Sequence, residues 1–410
     1  MRKNDVRKKI IRATTVPMSL TSFCTGLLKE LSEKYEVVAL SSPGKELQQI
    51  HESDGVRVIS VPMERHISLL KDVKALLKLI KVFYTEKPYM VHSMTPKAGL
   101  LCMVASWITR VPRRVHTFTG LVWPTAVGNK RRVLMFMDKI LCACATHIIP
   151  EGEGVKSDLQ NYITKKPMRI LGYGNIKGVD LNYWNITEEI KEKANILKKR
   201  FGLIPLNDEE KVFSFLFVGR IVGDKGINEL IDAFLKLKDY YTSCKRGIGI
   251  RLVLVGKYEE ELDPVSPLTK KIIGNNPSII SVGTLQGDDL IACYACNNCF
   301  VFPSYREGFP NTPIEAGAMG LPSIVTDING SREIVCGEYF TLYEEGIKIC
   351  QNGIVIPTKN VEALYIAMRK MIDDDTMYNK MAQNARRMIA SRFEQSFVRK
   401  CLFDYYDQII

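Results

Sequence analysis

Short apolar runs alternate with helix-period stretches along this chain, and that alternation restricts the possible folds more than any other feature. Strands joined through intervening helices pair in parallel, as βαβ units with a sheet covered on both faces. The first half predicts strands at Lys9–Ala13, Glu36–Leu40, Val56–Val61, Tyr89–Ser93, Arg114–Thr119, His147–Pro150 and Arg169–Leu171. Helical stretches such as Ser22–Lys34 and Ile67–Tyr84 lie between them. The alternation restarts with strands at Val212–Val218, Arg251–Val255, Ile279–Val282, Cys299–Phe302, Pro322–Val325 and Gly353–Ile356. Two such series predict an α/β chain of two doubly wound, Rossmann-like domains facing each other across a cleft. The expected divisions are 1–200 and 201–390, with 391–410 a helix packing back on the first domain. The charged stretch Thr187–Arg200, followed by Gly202, Pro205 and the polar run Asn207–Lys211, reads as the connection.

A chain of 410 residues with 46% hydrophobic and 25% charged content suits two soluble globular domains. The net charge of +12 favours phosphate-bearing partners without choosing among them. A nucleic-acid-binding role is disfavoured, because the charge is dispersed among acids and no recognition module is visible. The basic N-terminus leads into no apolar core of a signal peptide. The longest apolar run, Gly99–Ile108, falls short of the roughly 20 residues of a membrane span. The expected location is cytoplasmic, with any membrane contact peripheral, on the inner face of a bacterial membrane. In the helix Ile67–Tyr84, Leu69, Leu70, Val73, Leu76, Leu77 and Ile80 form one stripe, and Lys71, Lys74, Lys78 and Lys81 lie largely opposite. That basic face is either the solvated outside of a helix packed on the sheet or a surface resting on anionic lipid. The run Cys293-x2-Cys296-x2-Cys299 lacks the fourth cysteine of an iron–sulfur motif and reads as structural thiols.

Two strand-to-helix loops of the second half carry the residues suited to chemistry. Gly219–Gly226 (G-R-I-V-G-D-K-G) places Arg220 and Lys225 beside a helix start, where backbone amides already favour anions. It is not a phosphate-binding loop of the Walker type. Pro303–Glu315 (P-S-Y-R-E-G-F-P-N-T-P-I-E) carries two carboxylates. Thr312-Pro313-Ile314-Glu315 has the form of a capping box with proline at the first helical position. Glu307 lies in the loop, with no helix to cap. The loop Thr14–Phe23 after the first strand lacks the G-x-G-x-x-G of dinucleotide enzymes, which argues against hydride transfer.

These two loops, with L-V-G at Leu254–Gly256, V-G at Val282–Gly283, G-x-P at Gly320–Pro322 and N-G at Asn329–Gly330, resemble glycosyltransferase family 4, whose members are retaining GT-B enzymes. The resemblance is specific over Val212–Val335 and weaker over the first half, through Val91-His92, Lys97-Ala98 and Gly178–Leu181. It implies that Arg220 and Lys225 bind the donor diphosphate, Glu315 holds the ribose hydroxyls, Glu307 faces the donor sugar and Val282 lies beside the base. Backbone amides across Gly308, Phe309, Pro310, Asn311 and Thr312 would complete the cradle. Catalysis would rest on Glu307, Arg220 and Lys225, with no cofactor and no metal. The donor implied is a nucleotide-sugar, a UDP-sugar first. The acceptor is a lipid-linked, polyprenyl-diphosphate saccharide of capsule, O-antigen or exopolysaccharide synthesis, on the resemblance together with the basic first domain. Two departures concern the acceptor side. Thr14–Phe23 has no glycine pair, and Thr119 stands where relatives place a histidine, with His116 three residues earlier; Thr119, His116 and Lys97 are the acceptor-side candidates. A GT-B epimerase and a catalytically dead sugar-binding regulator are the competing roles.

Overall fold

The computed structural model describes residues 7–24, 26–64, 66, 68–204, 211–244, 247–260, 263–337 and 340–410. The chain divides into two units, one reaching to Gly178 and completed by Ser396–Ile410, the other Val179–Gln395. The first unit contains β1 (Lys9–Ala13), β2 (Glu36–Ser41), β3 (Arg57–Ser60), β4 (Met90–Met94), β5 (Arg113–Phe118) and β6 (His147–Pro150). These form one parallel sheet in the order β3-β2-β1-β4-β5-β6. Successive side chains enter opposite cores: Ile10 packs with the helices Leu27–Lys34 and Gln395–Ile409, and Ile11 with Leu69–Glu86 and Pro96–Ile108.

The second unit repeats this order. Its strands are β7 (Lys211–Val218), β8 (Ile248–Val255), β9 (Ile279–Gly283), β10 (Cys299–Phe302), β11 (Ser323–Thr326), β12 (Thr341–Leu342), β13 (Lys348–Ile349) and β14 (Gly353–Ile356). They pair as β12-β13-β14-β11-β10-β7-β8-β9, parallel except for the antiparallel β12–β13–β14 edge. Near-continuous apolar runs such as Cys299–Phe302 are buried throughout, as expected of strands covered on both faces. Cys293, Cys296 and Cys299 are buried in this core.

The structure corrects several expectations. Arg169–Leu171 forms no strand; a single bridge joins Ile148 to Met168. The stretch Ser22–Lys34 is two helices, Pro17–Cys24 and Leu27–Lys34, because Gly26 at φ +73° caps the second. Thr187–Arg200 is not a connection: the helix Glu188–Arg200 buries Ile190 and Ala194 in the second unit's core. The boundary therefore falls at Gly178, ahead of that helix. Of the expected connecting run Pro205–Lys211, all but Lys211 lies outside the described residues, as does Ile67. The helix Leu69–Glu86 buries Ala75, Leu79 and Phe83; of the expected stripe only Leu76 and Ile80 pack against this core, while Leu69, Leu70, Val73 and Leu77 are exposed.

A polar node lies beneath the last helix. Arg12 on β1 is 2% exposed and has no carboxylate partner among the described residues. Its guanidinium donates to Tyr406 Oη at 2.7 Å and lies 2.9 Å from His92 Nδ1. His92 Nε2 meets Thr117 Oγ1 at 2.7 Å. Burial and the adjacent Arg12 hold His92 well below the usual histidine range. His116, 2.9 Å from Ser93 Oγ on the other face, is pushed down to about 3 by burial.

These neutral rings make stability depend on acid. Above the 6.5 of an unperturbed histidine both states bind no proton there. As pH falls below that value, the unfolded chain takes up two protons that the folded unit refuses, so stability is lost with a slope approaching about 2.7 kcal/mol per pH unit. Urea unfolding between about pH 7.5 and 5 should show a falling midpoint, with a shallower fall in His116→Gln. A midpoint insensitive to acid would contradict this assignment.

Candidate functional site in the second unit

In the order β9-β8-β7-β10-β11-β14, the direction of winding reverses between β7 and β10. Loops leaving the carboxyl ends of strands on either side of such a reversal diverge and open a crevice, the general ligand site of doubly wound sheets. The loops here are Gly219–Gly226 and Pro303–Pro310, the two singled out in the sequence.

The loops are held against each other backbone to backbone. Gly226 has φ +70°, and a Cβ there would overlap the Pro303 carbonyl. Tyr305 N donates to Asp224 O at 2.8 Å, and the Tyr305 hydroxyl reaches Glu229 at 2.5 Å. A third loop closes from β11: Gly330, at φ +74°, leaves no room for a Cβ beside Gly308 O and Phe309 Cα. Its amide is met by Glu333 Oε1 at 3.3 Å.

Between the first two loops, Lys225 Nζ forms an ion pair with Glu307. Their side chains retain 13% and 17% exposure. Ser304 Oγ donates to the same carboxylate oxygen at 2.8 Å, and Lys225 Nζ lies 5.4 Å from the Phe302 ring centre. The cation expected on a diphosphate and the carboxylate expected on a sugar are thus each other's partners here. Arg220 is more exposed and pairs with Glu259.

The helix carrying Glu315 begins at Asn311, two residues ahead of Pro313, which a capping box at Thr312 would have made the first helical position. It runs Asn311–Ala318 with Pro310 as cap at φ −70°, ψ 136°, and no side chain caps it. Asn311 and Thr312 open the first turn, and Thr312 is not the cap, so the capping box is not formed. Pro313 is tolerated because amides of the first turn have no intrahelical partner to lose. Glu315 instead accepts from Tyr294 Oη at 3.2 Å. Burial, reinforced by this carboxylate, pushes the Tyr294 phenol up. Phe309 turns into the core against Phe393, so only its backbone is available to a ligand. Val282 is half-buried near the carboxyl end of β9.

Sequence reasoning missed Tyr294 and the part played by Ser304, and it picked out Gly330 only as half of the N-G pair. The serine stands in the P-S-Y-R-E-G motif and could have been found; Tyr294 looks like any apolar helix position.

In the first unit, Thr119 follows β5 at the carboxyl edge, half-buried. His116 is a core residue, 1% exposed, edge-on to Phe118 and closed over at Gly99. Lys97 is bound to Asp72 at 2.7 and 2.9 Å. The reversal point between β1 and β4 is occupied by a threonine pair, Thr15 and Thr95, with hydroxyls 2.8 Å apart. Thr95 has φ +71°, and its hydroxyl accepts from the Thr15 amide at 3.0 Å. A cavity of about 730 Å³ at the amino edge of this sheet is lined in part by Lys9, Glu36 and Glu86, and Lys9 already pairs with both carboxylates. Among the described residues no group of three or more His, Cys, Asp or Glu could hold a metal ion.

The family profile "Glycosyl transferases group 1" matches residues 204–388, and "Glycosyl transferase 4-like domain" matches 21–174. The capsular polysaccharide biosynthesis glycosyltransferase CapM of Staphylococcus aureus is 32% identical over 407 residues, covering 98% of each chain. This chain belongs to family 4 of the glycosyltransferases. An Escherichia coli relative, UDP-Gal:alpha-D-GlcNAc-diphosphoundecaprenol alpha-1,3-galactosyltransferase, is 28% identical over 350 residues, 83% of this chain and 81% of its own. Among solved structures, Anabaena HepE in complex with UDP superposes with a TM-score of 0.74 at 16% identity, over 98% of this chain and 100% of that one. That likeness establishes the GT-B fold of this glycosyltransferase. The group 1 match spans β7 to the helix Asp375–Phe393, and so contains all three interlocked loops.

Substitution at the interlock should be costly. Gly226→Ala combines a left-handed backbone with overlap on Pro303 and should lower stability by about 2–4 kcal/mol in urea unfolding. Gly274→Ala, in a helix with nothing within 4 Å, is the control and should be neutral or slightly stabilising. Equal effects at both positions would mean the loops part easily.

Proposed function

We propose that this glycosyltransferase moves a sugar from a UDP-sugar to a lipid-linked saccharide, with retention of anomeric configuration, during synthesis of a bacterial surface polysaccharide. The observation that carries the donor half is the convergence of Lys225, Glu307 and the start of the helix Asn311–Ala318 at the reversal point of the second sheet. Departure of a diphosphate from a sugar concentrates negative charge on the leaving oxygens and positive charge on the sugar. Lys225, Arg220 and the amides of the helix start supply fixed positive charge where the leaving group develops it. Arg220 would exchange Glu259, and Lys225 would exchange or share Glu307, for phosphate oxygens.

Glu307, relieved of part of its partner's charge, faces hydroxyls of the donor sugar. Glu315, held by Tyr294, accepts from the ribose hydroxyls. With two cations and a helix start on the diphosphate, no divalent ion is needed for charge balance, and chelation by EDTA should leave turnover unchanged. The lipid-linked acceptor is supported by the name of the E. coli relative, a diphosphoundecaprenol-dependent enzyme, and a role in capsule by that of CapM. Thr119 and Lys97 remain the acceptor-side candidates of the first unit, and such an acceptor requires work at a bilayer surface.

The test is turnover with a panel of UDP- and GDP-sugars and a polyprenyl-diphosphate-linked acceptor, preceded by thermal shift for donor binding. Arg220→Ala and Lys225→Ala should each reduce kcat by about tenfold or more, and Glu307→Gln by about 10²–10³. Glu315→Gln should raise KM for the donor more than it lowers kcat. Unchanged rates in the two cation variants would remove the diphosphate role; an inverted product would remove retention.

A further inference from the structure

The helix Leu69–Glu86 leaves an apolar face uncovered. Leu69, Leu70, Val73, Leu77 and Tyr84 are 79, 81, 55, 61 and 74% exposed. At 3.6 residues per turn these five fall within a sector of about 100°, roughly opposite the inward Ala75, Leu79 and Phe83. Exposed hydrophobics scattered singly are ordinary; a contiguous row is not. Lys71, Lys74, Lys78 and Lys81 occupy the adjoining sector. Lys71 pairs with Glu64, but Lys74, Lys78 and Lys81 have no carboxylate partner among the described residues. The helix's acids, Asp72 and Glu86, are engaged by Lys97 and by Arg57 and Lys9.

We propose that this face docks the protein on an anionic bilayer, with the helix lying in the interfacial plane. Leucine and valine side chains enter the acyl boundary while the lysines meet lipid phosphates beside them, the charge and apolar layering of such an interface. Charge complementarity selects this occupant over a second copy of the chain, since self-pairing would set lysines against lysines. Among the described residues no helix is long and apolar enough to cross a membrane, so the contact is lateral.

Position adds to the case. Lys97, at the start of the helix Pro96–Ile108, holds Asp72 in the first turn of Leu69–Glu86. That ties the most exposed end, Leu69 and Leu70, to the carboxyl edge of the first sheet, where ligands of such sheets bind. A substrate carried on a lipid would meet the protein at this edge. Only that last point rests on the acceptor proposed above.

The experiment is co-sedimentation of the full chain with vesicles of phosphatidylcholine alone or mixed with phosphatidylglycerol. Binding should be about tenfold or more tighter to the mixed vesicles and should weaken with salt. The double variant L70D/L77D should lose about tenfold or more in affinity for mixed vesicles while keeping the wild-type melting temperature. The triple variant K74A/K78A/K81A should lose the preference for anionic lipid; it provides the test if the first variant misfolds. Absence of wild-type binding to mixed vesicles, or unaltered binding in a folded L70D/L77D protein, would overturn the proposal. So would a wild-type dimer in gel filtration that L70D/L77D converts to monomer without any vesicle binding. None of these results bears on the transferase reading, which turnover in detergent solution tests separately.

Discussion

The second unit's site depends on backbone approaching backbone at two glycines. Gly226 lies against the Pro303 carbonyl and Gly330 against Gly308 and Phe309. Three loops that leave different strands are thereby drawn into one surface, closer together than side chains would allow. The carboxyl edge of a parallel sheet offers loops in a row; only this contact turns the row into a pocket wall with fixed relative positions. Catalytic groups displaced by an ångström lose much of their effect, so rigid scaffolding of this kind matters beyond its share of stability.

Upon that scaffold the electrostatics are balanced before any ligand arrives. Lys225 and Glu307 answer each other, Arg220 answers Glu259, and Ser304 supports the Glu307 carboxylate. Half-buried charges held apart would carry a desolvation cost that each pair instead offsets. On the proposed reading, a donor must replace both halves of the central pair at once, giving phosphate oxygens to the lysine and hydroxyl groups to the carboxylate. A bare phosphate satisfies only one half.

Much of this was legible in the sequence, because strand–helix alternation and glycine-bearing loops report local backbone directly. Cys299–Phe302 and Gly353–Ile356 begin and end where their apolar runs do. Four points were not legible, each for a physical reason. The capping box at Thr312 does not form, because Pro310 already sets an extended cap ahead of Asn311. Tyr294 supports Glu315 from an element distant in sequence, which periodicity cannot register. The pairing of Lys225 with Glu307 depends on two loops meeting, a tertiary fact. On the helix Leu69–Glu86 there are apolar residues on two faces, and a count of leucines favours the wrong one.

The helix Gln395–Ile409 completes the first unit although some two hundred residues of the second unit precede it in the chain. Tyr406 brings the hydroxyl that Arg12 and His92 share. During synthesis, β1 therefore emerges early, and its arginine lacks the Tyr406 hydroxyl until the last helix arrives. Domains usually fold as their own segments leave the ribosome. Here the first unit waits for the last helix, so its core is finished only after the second unit's segments have all been made.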